Sequence, residues 1–126
     1  MIFGIGTDIV RVDRMNKNLQ RFGDKFARRI LSDLELSDFQ QSSRPAHFLA
    51  KRFAAKEATV KAMGTGFANG VGMKQISVDH DSSGKPELVI SGLAKEFLQA
   101  NNITRLHISI ADEQDHAVAF VTLSTG

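Results

Sequence analysis

Two carboxylates stand out by the company they keep. Asp8 follows Gly4 and Gly6 on one face of an N-terminal extended segment, and glycines there let a backbone or a ligand approach the acid closely. Glu57 lies four residues after Phe53, inside the apolar stripe Leu49, Phe53, Val60 and Met63 of an alanine-rich helix, so its spacing predicts a carboxylate turned toward the core. A carboxylate held there needs a cation, a metal or a proton. The competing reading of Glu57 is a surface ion pair with Lys61 at i, i+4. Asp8 alone also reads as a strand-end acid accepting backbone hydrogen bonds. Together the two acids supply the small set of oxygen ligands that magnesium takes when phosphate oxygens and water complete its shell.

Basic residues surround Glu57. Lys51, Arg52, Lys56 and Lys61 share its helix and Arg44 precedes it, a grouping that would neutralise a phosphorylated ligand or simply form a solvated basic face. Arg52 and Lys61 are the foremost candidates among them for that ligand. A second cluster, Arg14, Lys17, Arg21, Lys25 and Arg28, runs three or four apart along an earlier helix. Residues 11–29 carry seven Lys or Arg against two Asp, which attracts an acidic protein, nucleic acid or anionic lipid, or merely keeps the face soluble. The loop Gly64-Thr65-Gly66 lacks the Gly-Lys-Ser/Thr ending of a P-loop and follows a helix, so by itself it reads as a C-cap and turn. His107 falls within a strand pattern, where a lone histidine is usually structural.

These residues must be positioned by the elements around them. Alternation predicts a strand over residues 2–10, with Phe3, Ile5, Thr7 and Ile9 on one face and Ile2, Gly4, Gly6, Asp8 and Val10 on the other. Helical spacing of Val12, Met15, Leu19, Phe22, Phe26 and Ile30 predicts an amphipathic helix from 12 to 31, with Gly23 its one natural break. A short helix over 33–41 capped by Ser32 or Ser37, a helix from Phe48 to Met63 ended by Gly64, and strands at 75–79 and 87–91 follow. A helix over 93–100 and a hairpin of 106–111 with 117–123 complete the chain. Strand, helices, strands, helix, strands is the order of an α+β fold, one domain over residues 1–126, with a mixed or antiparallel sheet against the long helix.

Composition sets the remaining bounds. With no cysteine there is no disulfide and no thiolate site, so any metal is held by oxygen or imidazole. A net charge of +2 is too small to imply nucleic acid. No basic leader and no apolar run of about 20 residues is present, which reads as a cytoplasmic chain away from membranes. Nine Phe with no Trp and no Tyr give few large anchors with a polar handle, and association of copies is expected.

Two motifs resemble a known family. Gly4-Ile5-Gly6-Thr7-Asp8-Ile9-Val10 and Arg52-Phe53-Ala54-Ala55-Lys56-Glu57-Ala58-Thr59-Val60-Lys61-Ala62-Met63-Gly64-Thr65-Gly66 are similar to the small bacterial 4'-phosphopantetheinyl transferases of the holo-acyl-carrier-protein synthase type. Arg28-Arg29-Ile30-Leu31-Ser32 with Glu35, Gly84-Lys85-Pro86 and His107-Ile108-Ser109-Ile110-Ala111-Asp112 extend the likeness along the chain. It implies transfer of the phosphopantetheine arm of coenzyme A to a serine of apo acyl carrier protein, in fatty acid biosynthesis. It also implies magnesium held by Asp8 and Glu57, which with Lys61 form the catalytic set, and coenzyme A contacts from Arg44, Arg52, Lys61, Gly64, Gly66 and His107. Carrier docking would fall on Arg14, Arg21, Lys25 and Arg28, and trimers would form sites between subunits. Glu35 and Glu57 are the candidate bases. The chain departs from some members at Asp112, where they carry a second histidine. A nucleic-acid binder using the first helix, and a different magnesium-dependent nucleotide transferase, are the alternatives.

Overall fold

One long helix explains most of the architecture. The computed structural model describes residues 1–126 and runs β1 (Ile2–Arg11), α1 (Val12–Phe22), α2 (Asp24–Ile30), α3 (Asp33–Gln41), α4 (Pro45–Met63), a 3-10 turn (Met73–Gln75), β2 (Ile76–His80), β3 (Pro86–Ile90), α5 (Gly92–Ala100), β4 (Ile103–Asp112) and β5 (His116–Thr125). The strands form two antiparallel sheets, β1-β5-β4 and the hairpin β2-β3. The α+β expectation holds, with antiparallel pairing throughout. No helix is long and apolar enough to cross a membrane.

α4 starts three residues earlier than its alanine-rich stretch suggests, because Pro45 at the first helical position is pre-set for the turn and has no N–H to lose. It is buried on nearly every side: Leu49, Ala50, Ala54, Ala55, Ala58, Val60, Ala62 and Met63 all lie in the core. One sector lies against β1 at close range. A Cβ on Gly6 would stand 1.9 Å from the Ala58 carbonyl oxygen, and one on Gly4 2.0 Å from that of Ala62. Only glycine lets the strand sit this near the helix backbone. The helix ends at Gly64 in the left-handed region (φ 79°), whose N–H donates to Val60 O at 3.0 Å.

The predicted helix over 12–31 is two helices. Gly23, at φ 63°, breaks it and redirects the chain, so Phe22 leaves the apolar stripe and is 46% exposed. α3 begins directly after Ser32, as its capping chemistry predicts. From Gly4 onward β1 divides as its alternation indicates: Gly6 and Val10 are buried, while Ile5 and Ile9 lie on an outer face with Val118 and Phe120; Ile2, before a register shift at Ile2/Gly4, is 62% exposed and does not join the inner face. Phe3 packs edge-on against Phe97 of α5 at 6.0 Å, whereas the apolar part formed by Ile5, Ile9, Val118 and Phe120 is exposed within the chain.

Candidate active site

β1 and α4 bring Asp8, Glu57 and Lys61 together. Beyond the Gly4 and Gly6 contacts, the next residue on that face of β1 is Asp8, half-buried beside α4. Lys61 Nζ donates to Asp8 Oδ1 at 3.0 Å and to the Thr7 carbonyl at 3.1 Å. The competing pairing of Lys61 with Glu57 is not formed; the lysine crosses to the strand instead. Its ammonium has three protons, and two are spoken for.

Glu57 is half-buried at the rim, which corrects the expectation of a core-facing carboxylate: Phe53, its stripe neighbour, is only half-buried as well. Its pKa is nevertheless raised, first by burial and then by the Asp8 carboxylate, while Lys61 and Arg14 oppose the rise. A carboxylate whose charge is disfavoured beside a second carboxylate, at a partly shielded rim, is a fit for a hard divalent cation with open coordination positions. No cluster of three or more metal-ligating side chains exists, so such an ion would take most of its shell from elsewhere.

Arg14 on α1 lies 5.2 Å over the Phe53 ring, which brings the basic face of α1 beside the acid pair. Arg21 lies 5.0 Å over the exposed Phe22 ring. Lys25 and Arg28 are exposed on α2, past the Gly23 break, so the basic stripe spans two helices rather than one. Gly64 and Gly66, at φ 79° and 61°, have no atom within 4 Å of where a Cβ would stand, and they leave open backbone just after Lys61.

Arg52 and Glu35 sit elsewhere than expected. Arg52 is 4% exposed, its guanidinium 4.3 Å over the Phe48 ring and its Nε 3.6 Å from Glu35 Oε2, so it is not open to a ligand phosphate. Burial lowers its pKa, against the pull of Glu35, Asp38 and Asp79. Glu35, a candidate base, is 1% exposed and accepts from Lys56 Nζ at 2.7 Å and from the Val78 N–H at 3.0 Å; no substrate proton reaches it. Burial also lowers the Lys56 pKa, against Glu35. The fully buried charge of α4 is thus Lys56, one residue before the predicted one.

Arg44 lies in a cleft of about 620 Å³ with Arg11, His47 and His116, and donates from Nη2 to His47 Nε2 at 2.8 Å. Asp8 and Glu57 are not part of that cleft. His107 is exposed on β4, paired across from Thr122 and beside the Ser109–Phe120 pair. Asp8 pairs with buried Ala119, on the other face of the sheet. Within one chain, His107 and the acid pair therefore face opposite ways.

The fold recurs in known proteins. Residues 4–121 match the family described as the 4'-phosphopantetheinyl transferase superfamily. A holo-[acyl-carrier-protein] synthase of Vibrio cholerae is 50% identical over 123 residues, 98% of each chain. The crystal structure of the corresponding synthase of Neisseria meningitidis superposes with a TM-score of 0.94 at 44% identity, covering 99% of this chain and 100% of that one. That of Helicobacter pylori, in complex with coenzyme A, superposes with a TM-score of 0.83 at 32% identity over 95% and 99%. The chain belongs to the 4'-phosphopantetheinyl transferase superfamily. Its activity is transfer of the phosphopantetheine arm from coenzyme A to apo acyl carrier protein.

Proposed function

We propose that Asp8, Glu57 and Lys61 carry this transfer, with Mg²⁺ held by the two carboxylates and with coenzyme A laid along Lys61 and the Gly64–Gly66 backbone. The observation that carries the reading is the Asp8–Lys61–Glu57 group: a glutamate whose proton affinity is raised by burial and by the Asp8 carboxylate, next to a lysine that bonds Asp8 and has a free donor. A bound magnesium would neutralise phosphate charge and offer it positive potential. Lys61 holds Asp8 in place and turns its remaining N–H toward a phosphate oxygen, where charge develops in phosphoryl transfer. The carrier serine oxygen bonds to the pantetheine-side phosphorus as the bond to adenosine 3',5'-bisphosphate breaks. With Glu35 sealed in the core, Glu57 is the carboxylate that can take the serine proton.

Arg14, Arg21, Lys25 and Arg28 receive the acidic carrier, and the place of Arg14 beside Phe53 and Glu57 supports delivery of its serine to the acid pair. The outer face of β1-β5-β4 supports a homotrimer. Ile5, Ile9 and Phe120 are 60%, 66% and 46% exposed there, an apolar patch of the kind that marks an interface. His107 lies on the same face, so a second copy seated on it would receive His107 near its own ligand, and sites would be shared between subunits.

The test is incubation with coenzyme A, magnesium and apo carrier, the carrier then being weighed by mass spectrometry. The carrier should gain the phosphopantetheine mass with the native protein and remain unchanged with Asp8→Asn or Glu57→Gln. Transfer that survives both substitutions would remove the metal pair from the mechanism.

A further inference from the structure

Glu35 and Lys56 form an ion pair with no solvent contact, and nothing in the transfer reaction uses either group. Their hydrogen bonds span three segments. Glu35 Oε1 accepts from the Ser32 N–H at 3.0 Å and from Lys56 Nζ at 2.7 Å, and Oε2 accepts from the Val78 N–H at 3.0 Å. Lys56 Nζ donates further to the carbonyls of Met73, at 3.0 Å, and Ile76. Ser77 Oγ meets Ser32 Oγ at 2.6 Å, closing the set. The start of α3, the middle of α4 and the 3-10 turn with β2 are thereby joined at one point in the core.

A buried ion pair is weak evidence for stability, since apolar side chains of similar volume often do as well or better. What it supplies instead is direction. The three donors of Lys56 have three named acceptors, and neither α4 nor the 3-10 turn can rotate or slide without stranding one of them in the core. Lys56 immediately precedes Glu57, so its orientation sets the azimuth of Glu57 about 100° around the helix. Met73 follows the glycine-rich stretch 64–72. That stretch hangs from α4 at both ends: Gly64 N–H on Val60 O at 3.0 Å, and Met73 O on Lys56 Nζ at 3.0 Å.

We propose that the Glu35–Lys56 pair is a positioning device for coenzyme A binding, fixing the rotation of α4 beneath Glu57 and tethering the far end of the 64–72 loop so that acid and loop backbone face one ligand. The proposal rests on the reading of Glu57 and that loop as parts of the coenzyme A site. Lys56 and Glu35 touch no substrate; they act through Glu57 and through Gly64 and Gly66.

The discriminating variant is Glu35→Leu/Lys56→Met, which removes the ion pair and fills its volume with apolar side chains; Arg52, whose Nε lies 3.6 Å from Glu35, loses that partner and keeps only the attraction of Asp38 and Asp79. Its melting temperature should fall modestly, because Arg52 loses Glu35 while the core volume stays filled. Its KM for coenzyme A should rise about tenfold or more, its KM for the carrier, which docks on α1 and α2, should hold, and hydrogen exchange should quicken in residues 64–73. Native KM for coenzyme A with unchanged exchange would overturn the proposal, as would an equal rise in both KM values. Should the double variant fail to fold, Glu35→Gln, isosteric and still able to accept from the Val78 N–H, takes its place: a rise confined to the KM for coenzyme A supports the proposal, and native or equally raised KM values overturn it. Glu57→Gln is measured alongside. If it retains transfer, the underlying reading fails; if it is inactive while the double variant is native in both KM values, the positioning proposal alone fails.

Discussion

Lys61 reaches across 53 residues of sequence to bond Asp8 Oδ1 at 3.0 Å, and the Thr7 carbonyl at 3.1 Å keeps the ammonium from swinging away. The side chain of Lys61 is 52% exposed, so the pair adds little to stability, about 1 kcal/mol or less. Its value is chemical. Lys61→Met should lower kcat by on the order of 10²–10³, the usual cost of removing one charge-stabilising donor, while the melting temperature moves by a degree or two. Carrier-mass kinetics with a parallel thermal melt check this; a large loss of stability with native kcat in the folded fraction would contradict it.

The approach of β1 to α4 sets a second expectation. Gly6→Ala would bring a methyl group within 1.9 Å of the Ala58 carbonyl, and backbone, not a flexible side chain, is what it meets. Overpacking of this kind costs about 1–3 kcal/mol or more. Strand and helix must part, and Asp8, two residues on, moves with the strand. Gly6→Ala should therefore lower both the melting temperature and the apparent magnesium affinity, whereas Gly84→Ala, in an exposed turn with nothing within 4 Å, should lower stability modestly and leave magnesium affinity alone. Equal magnesium affinity in all three proteins would count against the coupling of strand spacing to the site.

Local chemistry explains what is legible in the sequence and what is not. Strand alternation in β1 puts Gly4, Gly6 and Asp8 on one face, and the gap left by two missing side chains is what α4 fills. The partner of Lys61 cannot be read locally, because helix spacing offers Glu57 at i−4 while the structure supplies Asp8 from a distant strand. Arg52 and Lys56 read as surface cations because charged residues usually are; their burial depends on Glu35, which arrives from α3. The outer face of β1 carries a further signal: it is apolar too, at Phe3, Ile5 and Ile9, which in a strand with a covered inner face points to a second covering layer.

The raised pKa of Glu57 gives a pH dependence with a definite sign. Burial and Asp8 favour the protonated acid in the folded protein, so the metal-free fold binds more protons than the unfolded chain. Stability from this group is accordingly lost as pH rises from the ordinary glutamate value of 4.5 through the raised one. Glu57→Gln should flatten that slope. Magnesium binds the carboxylate form, so the thermal shift produced by magnesium should grow across the same window. Thermal melts with and without magnesium measure both; a magnesium shift that is flat with pH, or that persists undiminished in Glu57→Gln, would refute the assignment.

The basic face of α1 should separate carrier recognition from coenzyme A recognition. Arg14→Glu with Arg21→Glu reverses two exposed charges without touching the core. KM for the acidic carrier should rise by an order of magnitude or more and lose most of its dependence on ionic strength. KM for coenzyme A should change far less. A carrier KM that stays native and equally sensitive to salt would move the docking surface elsewhere.

The outer sheet face provides the last expectation. Phe120 stands 46% exposed between Thr7 on β1 and Ser109 on β4, with Ile5, Ile9 and Val118 about it, and no residue of the same chain covers them. Its side chain contributes little to the monomer's core, so Phe120→Asp should leave the fold intact. A carboxylate on that face would have to be desolvated for a second copy to seat there, which opposes association strongly. Phe120→Asp should therefore be monomeric by light scattering and should lose most transfer activity, since His107 and the acid pair face opposite sides of one sheet and a lone chain cannot bring them to one ligand. A monomeric variant with full activity would show that one chain holds a complete site. A variant that still associates as the native protein does would show that copies meet on some other surface.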